Sequence, residues 1–571
     1  MFLLAIAAGA FGGVGSIAFR MAIGFTHNLF FYGELNLHFD PNANIALTHW
    51  GPWVIIVPVI GAILVTWITA TFAPEARGHG VPEVMNAIHY GRGIIRPVIV
   101  IAKAIASAVS IGTGGSVGRE GPIIQIGSAF GSTLGQIVTM PARQRVVLVS
   151  AGAAAGIAAT FNAPVGGLAF AFELMLVSIS ASTVAQVAIA TVTATYIGRL
   201  YYGLAPSFNI PKLAAFATHD VGLLAILLSL VLGLLMGLGA ALFISAIYWF
   251  EDRFQERFAN HYLRHGAGML TLGLTLYLFM RTTGEYYVGG VGYGTIVDIL
   301  KNTLTNPWLL VALFVGKLVA TGLTLGSGAS GGVFSPALFL GAAGGALFGH
   351  AAVLIFPHQG LDPVMFAVAG MAAMLSGATG AVITAIAMLI EQTRDYAAIL
   401  PIIASAALAY VLRVHLVPES IYTLKLIRRG LGVPQGLEAA ISSSRRAHTI
   451  MTRDIAIIDF ADIKTWQAEH KPGEGSRYTV VIRNGAVHGI AREELGYLLP
   501  DAPPEAIVDT GVFLVASDTP WAVLLRGMKA KGTHRAIVLW RRRSTEPKDV
   551  AGVITSREIH EAATASAELI A

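Results

Sequence analysis

The sequence predicts an all-α polytopic membrane domain of two repeats with broken helices, followed by a small α/β domain. Three observations predict it. The composition is too apolar for water, glycine- and proline-interrupted hydrophobic segments recur at a fixed spacing, and the composition changes abruptly near Leu431.

Of the 571 residues 55% are hydrophobic and 12% charged, about half the charge of an average soluble chain. Residues 1–430 hold many apolar stretches, among them 52–72, 221–249, 309–325, 336–356 and 398–416. Several have the roughly 20 residues that a spanning helix needs. Stretches 123–138 and 145–157 are too short. Short apolar pieces at membrane depth are tolerated only where their freed backbone is buried in protein or lines a cavity, so they point to a transport pathway.

Met1 to about Ile23 lacks the basic start of a signal peptide and runs on through Phe19, Arg20 and Met21, so it reads as the first membrane helix. With no cysteine, disulfides and thiolate metal sites are excluded. The net charge of +5 is scattered rather than striped, which fits basic cytoplasmic loops and not a nucleic-acid partner. Arg428 and Arg429 follow the last apolar segment and place the C-terminal region in the cytoplasm. The absence of a targeting segment and a very short N-terminus fit a prokaryotic inner membrane.

The expected organisation is a membrane domain over 1–430, a linker over 431–446 and a soluble domain over 447–571. In the last, Tyr478–Ile482, the turn Asn484-Gly485 and Val487–Ile490 read as strand, turn and strand. Ala536–Trp540 and Val550–Thr555, followed by an acidic helix start, read as a second copy.

The membrane part carries a sharper repeat. A shift of 214 residues superimposes Lys103 on Lys317, Gly112 on Gly326, Gly118 on Gly332, Pro122 on Pro336, and Gly127, Gly131 and Gly135 on Gly341, Gly345 and Gly349. A shift of 218 then aligns Gly152 with Gly370 and Glu173 with Glu391. Two halves, about 1–205 and 221–416, follow. Spacing alone leaves open whether they are parallel or inverted.

Gly112-Thr-Gly-Gly-Ser-Val-Gly-Arg-Glu-Gly-Pro122 and Gly326-Ser-Gly-Ala-Ser-Gly-Gly-Val-Phe-Ser-Pro336 each join two apolar helices. Glycine lets the backbone turn and approach a ligand, and proline starts the next helix without wasting a donor. Unpaired N–H groups and the positive end of the helix dipole then make an anion site with no formal charge. Such a site suits a pore, because partial charges bind an anion and release it. Close helix packing is the other reading of such glycines. Neither segment has the Lys-Ser/Thr pair of a phosphate loop, which excludes that kind of ATPase.

Gly118-Arg-Glu-Gly-Pro122, Gly328-Ala-Ser-Gly-Gly-Val-Phe-Ser-Pro336, the earlier Gly78-His-Gly-Val-Pro82 and the late Ile421-Tyr422 resemble, in order, the four signature segments of the CLC chloride channel and transporter family. The tail, opened by Thr449-Ile-Met-Thr452, resembles a CBS pair with a short first half. The resemblance implies inverted repeats, a homodimer in the bilayer with one pore per subunit, and bound chloride as the transported ion, with no cofactor. It puts the anion site at His79, Gly118, Glu120, Gly121, Val333, Phe334 and Tyr422, with the Val333 and Phe334 amides and the Tyr422 hydroxyl as donors. Glu120 matches the gating glutamate: a carboxylate at a helix N-terminus is itself a bound anion, displaced by chloride or neutralised by a proton. Dipole compensation is its plainer reading, and an interfacial belt that of Tyr422. Arg119 is expected to pair with another group or to brace the loop rather than to contact the anion.

Two positions depart from the family. His79 stands where a serine donor is usual; imidazole still donates, and its protonated form adds a full charge beside the anion. A histidine facing away is the alternative. In Phe161-Asn-Ala-Pro-Val-Gly-Gly-Leu-Ala-Phe-Ala-Phe-Glu-Leu174 the family's antiporters usually carry two glutamates, and here Leu174 follows Glu173. Leucine carries no proton, so a channel is expected, with chloride/proton exchange as the runner-up. Glu173 is expected to be structural. A rival from another class is an intramembrane enzyme using Ser116, His79 and Glu120. In the tail, Thr555 and Glu558 sit where CBS modules often hold an adenine nucleotide.

Overall fold

In a computed structural model of the chain, the residues described are 1–37, 40, 44–45, 48–176, 179–204, 222–394, 398–431, 446–469, 475–492, 502–541 and 546–568. Most of the expected linker therefore lies outside the described residues. The chain divides into two units, Met1–Leu426 and Ile427–Ala571.

The first unit is helical. Its first half contains α1 (Phe2–His27), α2 (Val57–Thr71), α3 (Val81–His89), α4 (Val98–Gly112), α5 (Glu120–Ile137), α6 (Ala142–Phe161), α7 (Pro164–Phe170) and α8 (Ala181–Tyr202). Its second half contains α9 (Leu223–Arg257), α10 (His261–Thr283), α11 (Tyr293–Leu300), α12 (Pro307–Ser327), α13 (Phe334–Ile355), α14 (Pro363–Thr379), α15 (Val382–Thr393) and α16 (Ile399–Leu416); α17 (Thr423–Arg428) follows. Among the described residues eight helices are long and apolar enough to cross a membrane. One of them, α6, corrects an expectation: the stretch 145–157 grows to 20 residues. Its first turn holds Arg143 and Arg145, which break the apolar run in sequence, yet Arg145 Nε donates to Gly135 O (3.1 Å) on α5.

Reciprocal contacts show how the two halves are related. A Cβ on Gly127 would lie 2.2 Å from Gly152 O, and one on Gly341 2.4 Å from Gly370 O. Gly131 and Gly345 meet Leu148 O and Phe366 O in the same way. Thus α5 lies backbone to backbone on α6, and α13 on α14, through equivalent glycines. Gly118 and Gly332, equivalent residues, form an antiparallel bridge with both hydrogen bonds made, at 2.7 and 2.6 Å. Glu173, just beyond α7, accepts from the Ile383 and Thr384 N–H groups at the start of α15, both at 2.7 Å. Glu391, near the end of α15, accepts from Val165 N (3.0 Å) and Gly166 N (2.8 Å) at the start of α7. Each helix start is capped by the other half's carboxylate, which satisfies orphan donors and matches the dipole. Since each carboxylate sits at the far end of its own helix, α7 and α15 run antiparallel. The halves are inverted, as the resemblance implied.

The glycine contacts predict a large effect from one methyl group. Gly152→Ala drives Cβ into a backbone oxygen that no rotamer change can clear, costing on the order of 3 kcal/mol. A lower unfolding temperature in detergent is the expected result. Gly222→Ala, where a Cβ meets nothing within 4 Å, serves as the control and leaves that temperature unchanged.

The second unit repeats one small motif. Strand β1 (Ile455–Asp459) pairs parallel with β2 (Tyr478–Arg483) across a crossover helix, α18 (Ile463–Glu469). The Asn484-Gly485 turn, with both φ values positive, leads into antiparallel β3 (Ala486–Ala491), and β4 (Val508–Asp509) completes the sheet. Strand β5 (Phe513–Ala516), α19 (Trp521–Ala530), β6 (Arg535–Leu539) and β7 (Val550–Thr555) repeat that order. Even the register irregularity recurs, at Val481/Ile482 in one hairpin and Val538/Leu539 in the other. The chain ends its described part in α20 (Ser556–Glu568).

Candidate anion site

Four glycine-punctuated loops feed the N-termini of α3, α5, α11 and α13. Gly78 and Gly80, Gly114, Gly290 and Gly292, and Gly328 all have positive φ, which only glycine adopts without strain. The loops are stitched together. Gly78 N donates to Ala329 O (2.8 Å), Gly331 N to Gly78 O (3.3 Å) and Gly290 N to Gly114 O (3.2 Å). Two buried lysines brace them: Lys103 Nζ donates to Ala76 O (2.9 Å) and Gly78 O (2.8 Å). Lys317 Nζ donates to Val288 O (3.3 Å) and Gly290 O (2.9 Å).

Glu120 is fully buried at the first turn of α5. Its Oε1 accepts from the Tyr293 hydroxyl. Its Oε2 accepts from Ser335 Oγ (2.5 Å) and Ser335 N (3.3 Å) at the start of α13. The carboxylate therefore lies on the positive end of a helix, where an external anion would also be favoured. Gly118 makes room for it, since a Cβ there would come within 2.3 Å of Glu120 Oε2. Gly121 packs with its α-carbon facing His79 O and Gly332, at 2.3 and 3.0 Å from an added Cβ. The His79 ring lies 5.8 Å from the Tyr422 ring, and the Phe334 ring 5.5 Å from that of Phe161. Val333 and Phe334 open α13, and their N–H groups donate to no backbone carbonyl among the described residues. His79, Gly118, Glu120, Gly121, Val333, Phe334 and Tyr422 thus form one buried locus.

The remaining residues fall outside it or support it. Arg119 holds its guanidinium 5.1 Å over the Tyr293 ring and donates to Thr160 O (3.5 Å), a bracing position. Ser116 donates its N–H to Thr324 Oγ1 (3.2 Å) and shares a hydroxyl contact with Thr321 (3.4 Å). Leu174 is half-buried in the π-helical turn Ala171–Met175 beside Glu173. In the second unit Glu558 accepts from Thr555 N (2.9 Å), Thr555 Oγ1 (2.6 Å) and the Tyr478 hydroxyl (3.2 Å).

Tyr293 and Ser335 were missed by sequence reasoning. A shift of 212 aligns Gly78-His79-Gly80 with Gly290-Val291-Gly292, and the lysine carbonyl contacts obey the same shift. That register, two residues short of the main one, would have placed Tyr293 at a fourth helix start.

The family described as voltage gated chloride channel matches residues 61–413. The chain belongs to the CLC family. An H+/Cl− exchange transporter, ClcA of Vibrio cholerae serotype O1, is 33% identical over 365 residues, 62% of this chain and 75% of its own length. The ClcA exchange transporter of Salmonella paratyphi B is 30% identical over 431 residues, 75% of this chain and 88% of its own. The crystal structure of a slow cyanobacterial Cl−/H+ antiporter matches with a TM-score of 0.66 and 25% identity, over 75% of this chain and 97% of that one. A eukaryotic CLC transporter matches in fold, with a TM-score of 0.63 and 20% identity, over 98% of this chain. CLC proteins are anion channels or transporters, so the catalytic reading of Ser116, His79 and Glu120 falls; Ser116 also turns to threonines rather than to either partner.

Proposed function

We propose that this CLC protein passes chloride or a similar small anion through the locus around Glu120, as a channel in which Glu120 is the gate. The observation that carries the reading is the Glu120 carboxylate on the α13 helix start, where the chain's own anion occupies a seat that chloride would take. The Val333 and Phe334 amides and the Tyr422 hydroxyl are the donors a chloride would meet. Leu174 favours passive conduction, because it cannot relay protons.

A second reading, exchange of chloride for protons on the same scaffold, is favoured by relatives named as exchange transporters. Flux from proteoliposomes decides between them. Chloride movement that leaves external pH unchanged supports the channel; protons driven uphill by a chloride gradient refute it.

In this reading the protein works as a homodimer with one pathway per subunit in a prokaryotic inner membrane, with the second unit cytoplasmic. That unit acts as a CBS pair in which Thr555 and Glu558 are the candidate nucleotide contacts. Thermal shifts of the full chain with ATP, ADP and AMP test this; no shift with any of them leaves the unit a packing module.

His79 is the residue that sets this pathway apart. Its protonation adds a full charge beside the anion, so chloride binding tightens on acidification. In the Glu120→Gln background, where the gate does not titrate, His79→Ser abolishes that trend and changes the chloride-to-nitrate flux ratio. Identical ratios and pH profiles would overturn the role.

A further inference from the structure

We infer that Tyr293 is a latch for the gate: its hydroxyl holds the Glu120 carboxylate in the pathway, so the second repeat's Gly290-Val291-Gly292 loop sets how readily the pathway opens. The inference rests on Glu120 being the gate and adds the residue that restrains it.

Three observations carry it. The Tyr293 hydroxyl and Ser335 Oγ divide the carboxylate between them, one hydroxyl to each oxygen, and Ser335 Oγ also lies 3.2 Å from the Tyr293 hydroxyl. The gate is therefore held from two directions, by α11 and by α13, rather than by the helix dipole alone. Tyr293 has little freedom to let go. It is 1% exposed, it is the first residue of α11 after Gly292 at φ +85°, and Arg119 sits over its ring. Arg119 directly precedes the gate in sequence, so the residue next to the carboxylate clamps the ring that binds it. The loop carrying Tyr293 is in turn fixed by Lys317 through the Val288 and Gly290 carbonyls.

A carboxylate with these contacts leaves its seat only by giving up a charge-assisted hydrogen bond to a phenol. Such a bond biases the seated state without taking part in anion binding, which makes Tyr293 a positioning residue. The equivalent position in the first repeat, by the shift of 212, is Val81. A valine has no donor, so the latch belongs to one half only, and the symmetry of the scaffold does not require it.

The test is a double-mutant cycle in proteoliposomes built from the full chain. Tyr293→Phe keeps the ring and the Arg119 contact and removes the hydroxyl. Chloride flux at neutral pH is expected to rise roughly tenfold, the change in equilibrium that one charge-assisted hydrogen bond carries. Chloride affinity by calorimetry is expected to rise with it, since the competing carboxylate is held less firmly. In the Glu120→Gln background the same substitution is expected to change neither. Ser335→Ala is the second variant, with a smaller rise that is likewise lost in Glu120→Gln. Flux unchanged in Tyr293→Phe, or changed by the same factor in both backgrounds, overturns the latch and leaves the gate standing. Wild-type flux and pH response in Glu120→Gln alone overturn the gate and the latch with it.

Discussion

Glu120→Gln is expected to raise chloride flux at neutral pH by more than tenfold and to remove the gate's share of its dependence on pH, leaving only the trend carried by His79. The seat around Glu120 is built for an anion: a hydroxyl from Tyr293 on one oxygen, a hydroxyl and a backbone N–H from Ser335 on the other. Each hydrogen bond to a charged group is worth about 1.5–3 kcal/mol, and the helix end adds about 0.3–1 kcal/mol. An amide keeps one acceptor and turns a donor toward the other side, where it meets a donor. The seated state then loses several kcal/mol relative to the open one, and a titratable group leaves the pathway. Chloride flux measured across a range of external pH checks both parts. A Glu120→Gln, His79→Ser double variant that still opens on acidification would mean that another group gates the pathway.

The same residues show what could be read in advance. Composition and the 214-residue shift carried the membrane helices, the two halves and the helix starts at Glu120 and Phe334, because glycines forced by backbone contact leave a periodic trace. Gly127 against Gly152 and Gly341 against Gly370 are that trace in three dimensions. Polar residues that serve the backbone left none. Arg145 hid the true length of α6, since nothing in sequence says that its guanidinium finds the Gly135 carbonyl. The exchange of Glu173 and Glu391 between helix starts was visible only as an aligned pair, without its meaning. Tyr293 was lost for a different reason. Its loop follows a shift of 212 rather than 214, and a tyrosine opposite Val81 is not conspicuous as a repeat. The site was thus legible where glycine or a signature residue marks it, and illegible where one side chain reaches across from the other half.

The two lysines that brace the loops predict an asymmetry which the repeat itself does not. Lys103 and Lys317 are equivalent and fully buried, and each donates to two loop carbonyls. Their acceptors differ. Ala76 O also accepts from Ser330 Oγ (2.6 Å) and Gly78 O from Gly331 N (3.3 Å), so both keep a donor when Lys103 becomes Met. Among the described residues Val288 O and Gly290 O have no second donor, so Lys317→Met leaves two buried acceptors unsatisfied. Each costs about 1–3 kcal/mol. Lys317 also lies within electrostatic reach of Glu120, and its loop delivers Tyr293 to the gate. Lys317→Met is therefore expected to lower the unfolding temperature in detergent well below that of Lys103→Met, and to raise chloride leak at neutral pH by loosening Tyr293. Lys103→Met should act chiefly on anion selectivity, through the loop that carries His79. Equal unfolding temperatures for the two variants would show that the lysines act by charge alone, since charge is what they share and the second donors are what they do not.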